Sequence, residues 1–291
     1  MKVAIVGAGG LVGSEFARQY SPIAQVLPFK HSQLDITDHQ LVREVLRTNR
    51  PDLVINCAVL GIDECEKDPP AASAVNTSGA EAIAKEAAAI EADLVQMSTN
   101  FVFAGNEMRD SFLTVEDEPQ PINVYGQTKL AGERAASAAA RGCFIIRTSW
   151  VFGKGKLNFF SSLPHKLGAK QPVRAINEVW ANATYVQDLV SRVIDVMSRG
   201  RYGTYHVVNS GVCSYYDFAR ETGRLMGIVS SDLEHRIEQV TLSELQLYAD
   251  RPRYTPMRCL LSEQLGLTPM RDWKEALSEY LQTNSFFKSA Q

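Results

Sequence analysis

The opening of the chain restricts its fold more than any other stretch. "KVAIV" (residues 2–6) is a short run of small and β-branched apolar residues, and it passes directly into "GAGGLVGSEF". A buried strand that leaves through glycines and enters a helix at once can bring bare backbone close to a ligand. It also aims unpaired helix N–H groups at that ligand. The glycines fit G-x-x-G-x-x-G at Gly7, Gly10 and Gly13, and the alternative spacing G-x-G-x-x-G fails because Val12 stands where its last glycine would be. Gly7, Gly10, Leu11 and Val12 are therefore the expected pyrophosphate-facing residues. By itself a glycine motif is a weak signal, so the rest of the chain decides.

The same grammar repeats. Apolar runs begin at Ala24, Asp52, Ala92, Cys143 and Gly203, and between them lie "HQLVREVLRT", "GAEAIAKEAAAIE" and "YGQTKLAGERAASAAA", whose spacing favours helix. The alternation predicts an α/β fold, a Rossmann-type doubly wound parallel sheet. Beyond residue 152 the pattern loosens, and after Asn209 it turns mostly helical. That predicts a smaller, mainly helical C-terminal substrate domain, with residues 1–150 and 185–209 forming the dinucleotide-binding domain and 151–184 and 210–291 the substrate-binding one.

Composition excludes several classes. Among 291 residues, Lys+Arg 30 against Asp+Glu 33 gives a net charge of -3, with no basic block, which argues against nucleic acid as a partner. No apolar run reaches the length of a membrane span. Five scattered cysteines without a C-x-x-C pair suggest neither a disulfide frame nor a zinc site, and no other metal-ligand spacing is evident; a reducing cytoplasm fits.

The chemistry is expected at the carboxyl ends of the strands. The run from Ala92 ends in Ser98 and Thr99, hydroxyls suited to a substrate carbonyl and a cofactor edge. Further on, Tyr125 and Lys129 are four apart, one helical face. Hydride delivery to a ketone leaves an alkoxide that needs a proton, and an ammonium beside a phenol eases its release. Alone, Tyr-x-x-x-Lys is a common match; after a glycine turn and a Ser-Thr strand end it is a candidate site. The second strand ends in "FKHS", so Lys30 and His31 stand where an acid would hold a ribose hydroxyl. They suit a 2′-phosphate, which prefers NADP over NAD.

With these motifs in order, the chain resembles the extended short-chain dehydrogenase/reductases and, within them, the dTDP-4-dehydrorhamnose reductase family. The resemblance is carried by "GAGGLVGS", "LDITD", "PDLVINCA", "STNFVFAG", "NVYGQTKLAGE", "IIRTSWVFG", "GTYHVVN", "RPRYTP" and "WKEAL". It implies that Thr99, Tyr125 and Lys129 form a catalytic triad reducing the C4 ketone of a nucleotide-linked 4-keto-6-deoxy sugar. It implies that Asp35 and Ile36 flank the adenine, that Cys57, Ala58 and Val59 line the ribose side, and that Trp150 lies near the sugar. Three departures fall on the substrate side: Asn100 and Phe101 follow Thr99 where the family usually has Asp-Tyr, "NATY" replaces a Gly-x-Pro-Thr turn, and the residues after "RPRYT" include Met257 and Arg258 instead of the usual leucine and aspartate.

Lys154, Lys156, Arg251 and Arg253 are candidate partners for a substrate diphosphate. The alanine-rich segments 80–91 and 132–140 could pair two chains into a homodimer or pack on the sheet. A rival reading is a non-catalytic dinucleotide-binding subunit, similar to the β subunit of methionine adenosyltransferase; the intact triad argues against it, and Asn100 and Phe101 argue modestly for it.

Overall fold

The structure, a computed structural model, describes residues 1–286 except 107 and 109. The first half runs β1 (Lys2–Val6), α1 (Leu11–Tyr20), β2 (Gln25–Phe29), α2 (His39–Asn49), β3 (Leu53–Asn56), α3 (Ile62–Lys67) and α4 (Pro69–Ser73). A π-helical turn, Ala74–Gly79, leads into α5 (Ala80–Ala89), then β4 (Asp93–Thr99), α6 (Val124–Ala139) and β5 (Cys143–Thr148). The middle is β6 (Val151–Phe152), α7 (Phe159–Gly168), β7 (Val173–Ile176), β8 (Trp180–Ala181), β9 (Thr184–Tyr185), α8 (Val186–Ser198) and β10 (Gly203–His206). The chain closes with β11 (Cys213–Ser214), α9 (Tyr215–Leu225), α10 (Ser230–Arg236), β12 (Ile237–Val240), α11 (Leu260–Gln264) and α12 (Trp273–Thr283).

Six of these strands form one parallel sheet in the order β2-β1-β3-β4-β5-β10. After β1 the chain moves first to one side, for β2, and then to the other, for β3. That reversal opens a crevice at the carboxyl ends of β1 and β3. Strand alternation supplies two apolar faces. Val3, Ile5, Ile55 and Val95 pack on Phe16 of α1 and on Leu189 and Val193 of α8. Ala4, Val6, Val54 and Leu94 pack on Val42 of α2, Ile83 and Ala87 of α5, and Ala136 of α6. Pro28, which lacks an N–H, sits on β2, the edge strand, where the ladder needs no further donor.

The alanine-rich helices are thus used within the chain. Ala82, Ala84, Ala87 and Ala136 lie in the sheet's own core, so these faces no longer support a homodimer. Among the described residues no helix is long and apolar enough to cross a membrane.

A separate aromatic core gathers Phe152, Phe160, Tyr185, Phe218, Trp273 and Tyr280. Its residues come from β6 to β9 and from beyond β10. The unit is mainly helical, with α7, α9, α10 and α12, and it also holds three two-stranded pairs that the sequence did not indicate, β6 with β9, β8 with β11 and β7 with β12. Strands of two to four residues are too short to show a period of two in the sequence. Tyr185 joins this core while Leu189, one helical turn on, joins that of the sheet.

Candidate active site

The glycine turn is shaped by close approach. Gly7 has φ +79°, and a Cβ there would stand 2.8 Å from Ala58 N and from the Cys57 carbonyl carbon, so neither the backbone angle nor the space admits a side chain. Gly10 caps α1 without a side-chain bond, and no acidic residue lies in the first turn of the helix. The start of the helix, Gly10 to Gly13, therefore faces a cavity of about 470 Å³ with positive potential and nothing on its own side chains to quench it. This cradle fits the pyrophosphate of a dinucleotide.

Around the cradle the expected cofactor residues divide. Lys30 is exposed, and its stem runs beside the turn, 3.7 Å from where a Cβ at Gly9 would stand. His31 is exposed at the same strand end. Asp35 is already engaged: Oδ1 accepts from Thr37 N at 2.9 Å and Thr37 Oγ1 at 2.8 Å, and these two bonds hold its carboxyl below the usual range, with a smaller contribution from His31. Ile36 is a core side chain packed on Gly79, so only its backbone is left to border a ligand. Cys57 lines the cavity, with its thiol pushed up to about 12 by burial, and Val59 lines it from an exposed position. Ala58 anchors the turn through its N–H to Asn56 Oδ1 at 3.1 Å.

The opposite wall is the end of β4 and the start of α6. Asn123 caps α6, its Oδ1 accepting from Gly126 N at 2.7 Å. Gly126 lets the helix press on the Phe101 carbonyl, where a Cβ would collide. This seating brings Tyr125 beside Thr99 in the cavity lining and sets Phe101 edge-on to the Tyr125 ring at 5.5 Å. Burial raises the phenol to about 12, with the neighbouring Thr99 hydroxyl opposing. Lys129 is buried one turn along and donates to Met97 O at 2.6 Å. Burial lowers its ammonium to about 8, with the Glu133 charge opposing. One of the ammonium's N–H groups is spent on the strand carbonyl, and the raised phenol reflects burial.

Ser98 lines the cavity, but its hydroxyl donates to Glu133, which in turn accepts from Arg147 Nη2 at Oε2, 2.7 Å, and from Arg147 Nε at both Oε1, 3.0 Å, and Oε2, 3.2 Å. Ser98 is therefore first a strut between β4 and α6.

The third wall is aromatic. Trp150, at a left-handed φ of +43°, stacks on Phe160 at 5.0 Å and meets Tyr215 at 4.3 Å between ring centres. Of the four cations expected near a diphosphate, Lys156 lines the cavity. Arg251 is instead clamped to Asp63 at 2.7 Å, and Arg253 is exposed and reaches toward Glu178 at 3.9 Å, away from the lining; Lys154 is exposed and also outside it. An acidic residue within reach takes each arginine. Asn100 and Phe101 line the cavity as expected.

Sequence reasoning missed Ile62, Thr148, Asn158, Phe159, Phe160 and Tyr215, all of which line the cavity. Thr148 is the most telling: it lines the cavity and its Oγ1 is buried without a protein partner.

Comparison with known proteins gives the same picture. The family profile described as "RmlD substrate binding domain" matches residues 1–286. A dTDP-4-dehydrorhamnose reductase of Mycolicibacterium smegmatis is 38% identical, covering 96% of this chain and 84% of that protein. Spore coat polysaccharide biosynthesis protein SpsK of Bacillus subtilis is 36% identical, covering 98% of both. Among solved structures, dTDP-4-dehydrorhamnose reductase of Bacillus anthracis in complex with NADP superposes with a TM-score of 0.91 at 30% identity, over 97% of this chain and 99% of that one. The parallel sheet, the glycine cradle and a match that spans the described length place this chain in the RmlD substrate binding domain family, alongside the dTDP-4-dehydrorhamnose reductases.

Proposed function

We propose that the protein is an NADPH-dependent reductase of the C4 ketone of a nucleotide-linked 4-keto-6-deoxy sugar, converting dTDP-4-dehydrorhamnose to dTDP-L-rhamnose. The observation that carries this reading is the meeting of Thr99, Tyr125 and the head of α1 in one cavity at the open end of the sheet, with an aromatic wall at Trp150 and Lys129 buried behind Tyr125. The cofactor, when bound, supplies hydride to the ketone carbon.

The chain's own residues supply the rest. Thr99 donates its hydroxyl to the ketone oxygen, and Tyr125 gives up its phenolic proton to the same oxygen as negative charge grows there. A phenol near 12 is still far more acidic than the alcohol formed, so the transfer runs downhill. Lys129 keeps two N–H groups beyond the one spent on Met97 O, available to ribose hydroxyls and to the tyrosine oxygen. Lys30 and His31 favour a 2′-phosphate, hence NADPH over NADH. Trp150, Phe160 and Tyr215 offer flat apolar faces to the sugar nucleotide, and Lys156 offers charge to its diphosphate. The five cysteines are free thiols, which supports a cytoplasmic setting.

The regulatory-subunit reading lacks a comparable observation, since a purely structural role has no use for a tyrosine and a strand-end threonine lining one cavity with the glycine cradle. The test is direct. Reduced-cofactor absorbance is followed with NADPH or NADH and dTDP-4-keto-6-deoxy sugar, for wild type and Tyr125→Phe. Cofactor binding without turnover of the keto sugar would sink the enzyme reading, and undiminished turnover in the variant would remove Tyr125 from its role.

A further inference from the structure

Residues 250–259 form the seam of the molecule. Asp250 O accepts from Asn123 Nδ2 at 2.7 Å, and Arg253 N and Tyr254 N both donate to Gly105 O, at 3.1 and 3.0 Å. From the other unit, Trp180 N donates to Arg253 O at 2.7 Å, and Asn182 Oδ1 accepts from Met257 N at 2.7 Å. The loop is thereby stitched to both halves of the cleft.

At its centre Thr255, 1% exposed, meets Asn100, 2% exposed, and Asn100 Nδ2 donates to Thr255 Oγ1 at 2.7 Å. The nitrogen being committed, the amide presents its oxygen to Thr99, whose hydroxyl donates to Asn100 Oδ1 at 3.3 Å. Because the amide is planar, the two contacts are set together. If the loop lifts, the amide is free to turn and can show Thr99 a donor instead of an acceptor, which redirects the threonine proton.

We propose that Asn100 is a positioning residue that couples the seating of the 250–259 loop to the direction of the Thr99 hydroxyl. The seating of the seam and the aim of the Thr99 hydroxyl then become one event. The bond from Thr99 is long, and its acceptor is neutral. Thr99 can therefore turn its O–H toward a ketone more readily than from a carboxylate, which would hold it by a charge-assisted bond. This is what the chain gains from asparagine where the family tends to carry aspartate. The inference rests on the role given to Thr99 under the proposed function.

The experiment is a double-mutant cycle of Asn100→Ala and Thr255→Val, with Thr255→Ser as a variant that keeps the hydroxyl. Two readouts are taken: kcat and KM with NADPH and the dTDP-4-keto sugar, and amide hydrogen exchange at Arg253, Tyr254 and Met257. Each single change lowers kcat by about tenfold, the worth of one buried hydrogen bond, and speeds exchange at all three amides. The double variant loses no more than either single one, and Thr255→Ser recovers both readouts. Additive losses would overturn the proposal, as would a raised KM at unchanged kcat. Absence of wild-type turnover on the keto sugar would overturn the proposed function and this inference with it, whereas wild-type turnover without coupling overturns this inference alone.

Discussion

Lys129 Nζ lies 2.6 Å from the carbonyl oxygen of Met97, two residues before Thr99 on the same strand. The bond ties the ammonium to the strand that carries the candidate polarising hydroxyl, so strand and helix cannot shift without moving both groups. It also fixes a cation where burial has lowered its pKa to about 8.

This sets the pH response. The ammonium form is the useful one, so kcat/KM falls as pH rises through about 8, and Lys129→Met loses that limb along with most of the rate. Stability runs the other way. The unfolded lysine keeps its proton to about 10.5, so between about 8 and 10.5 the unfolded state holds more protons and rising pH favours the native one. Denaturant midpoints across that window should rise for wild type relative to Lys129→Met; a flat difference would contradict the assignment.

Tyr125→Phe keeps the ring against Phe101 and removes the proton. The expected loss is about 10²–10⁴ in kcat, the usual worth of a positioned acid, at unchanged NADPH affinity measured by fluorescence titration. A matching loss of affinity would instead point to a disturbed pocket.

Lys30→Ala tests the choice of cofactor. One charge-assisted contact to a 2′-phosphate is worth about 1.5–3 kcal/mol. The KM for NADPH should rise at least tenfold while that for NADH stays put. Equal changes for both cofactors would detach Lys30 from the phosphate.

Glu133→Gln breaks the buried pair with Arg147, whose side chains are 6% and 7% exposed. Leaving one buried charge without its partner costs about 3–5 kcal/mol. Thermal unfolding should show a large drop in Tm. Replacing Glu133 and Arg147 together by apolar residues of similar volume should recover much of it; a drop as large in the double variant would mean that packing, not charge, dominates.

Gly7→Ala places a methyl 2.8 Å from Ala58 N at a φ of +79°. Dinucleotide affinity should fall by at least an order of magnitude, and the melting temperature should fall with it. Gly10→Ala should keep its stability, because a Cβ there stands 3.4 Å from Gly7 O, a far milder approach. Equal melting temperatures for the two variants would refute the steric argument.

What could be read from residues alone follows from how local the signal is. The glycine turn, Thr99 at a strand end, and Tyr125 with Lys129 on one face of α6 are each set by a few neighbouring residues, and strand–helix alternation places them at one edge. Phe160 and Tyr215, which complete the aromatic wall beside the expected Trp150, were not legible, because Tyr215 lies 65 positions from Trp150 and the three meet only when the second core forms. Arg251 and Arg253 misled because charge shows valence and not partner; Asp63 and Glu178 are remote in sequence. One signal was readable and missed: Arg147 sits in the apolar run "CFIIRTS", and a cation inside a buried strand demands a carboxylate. Glu133, four residues beyond Lys129, supplies it.

The second core is assembled from residues on both sides of α8 and β10, so the chain passes through the cofactor-side sheet between its two contributions. A unit threaded in this way cannot be exchanged by a single genetic crossover. Recombination that brought in only one segment would leave Phe152 and Tyr185 without Phe218, Trp273 and Tyr280 to pack against. Module shuffling, which serves proteins with consecutive domains, is therefore closed to this architecture.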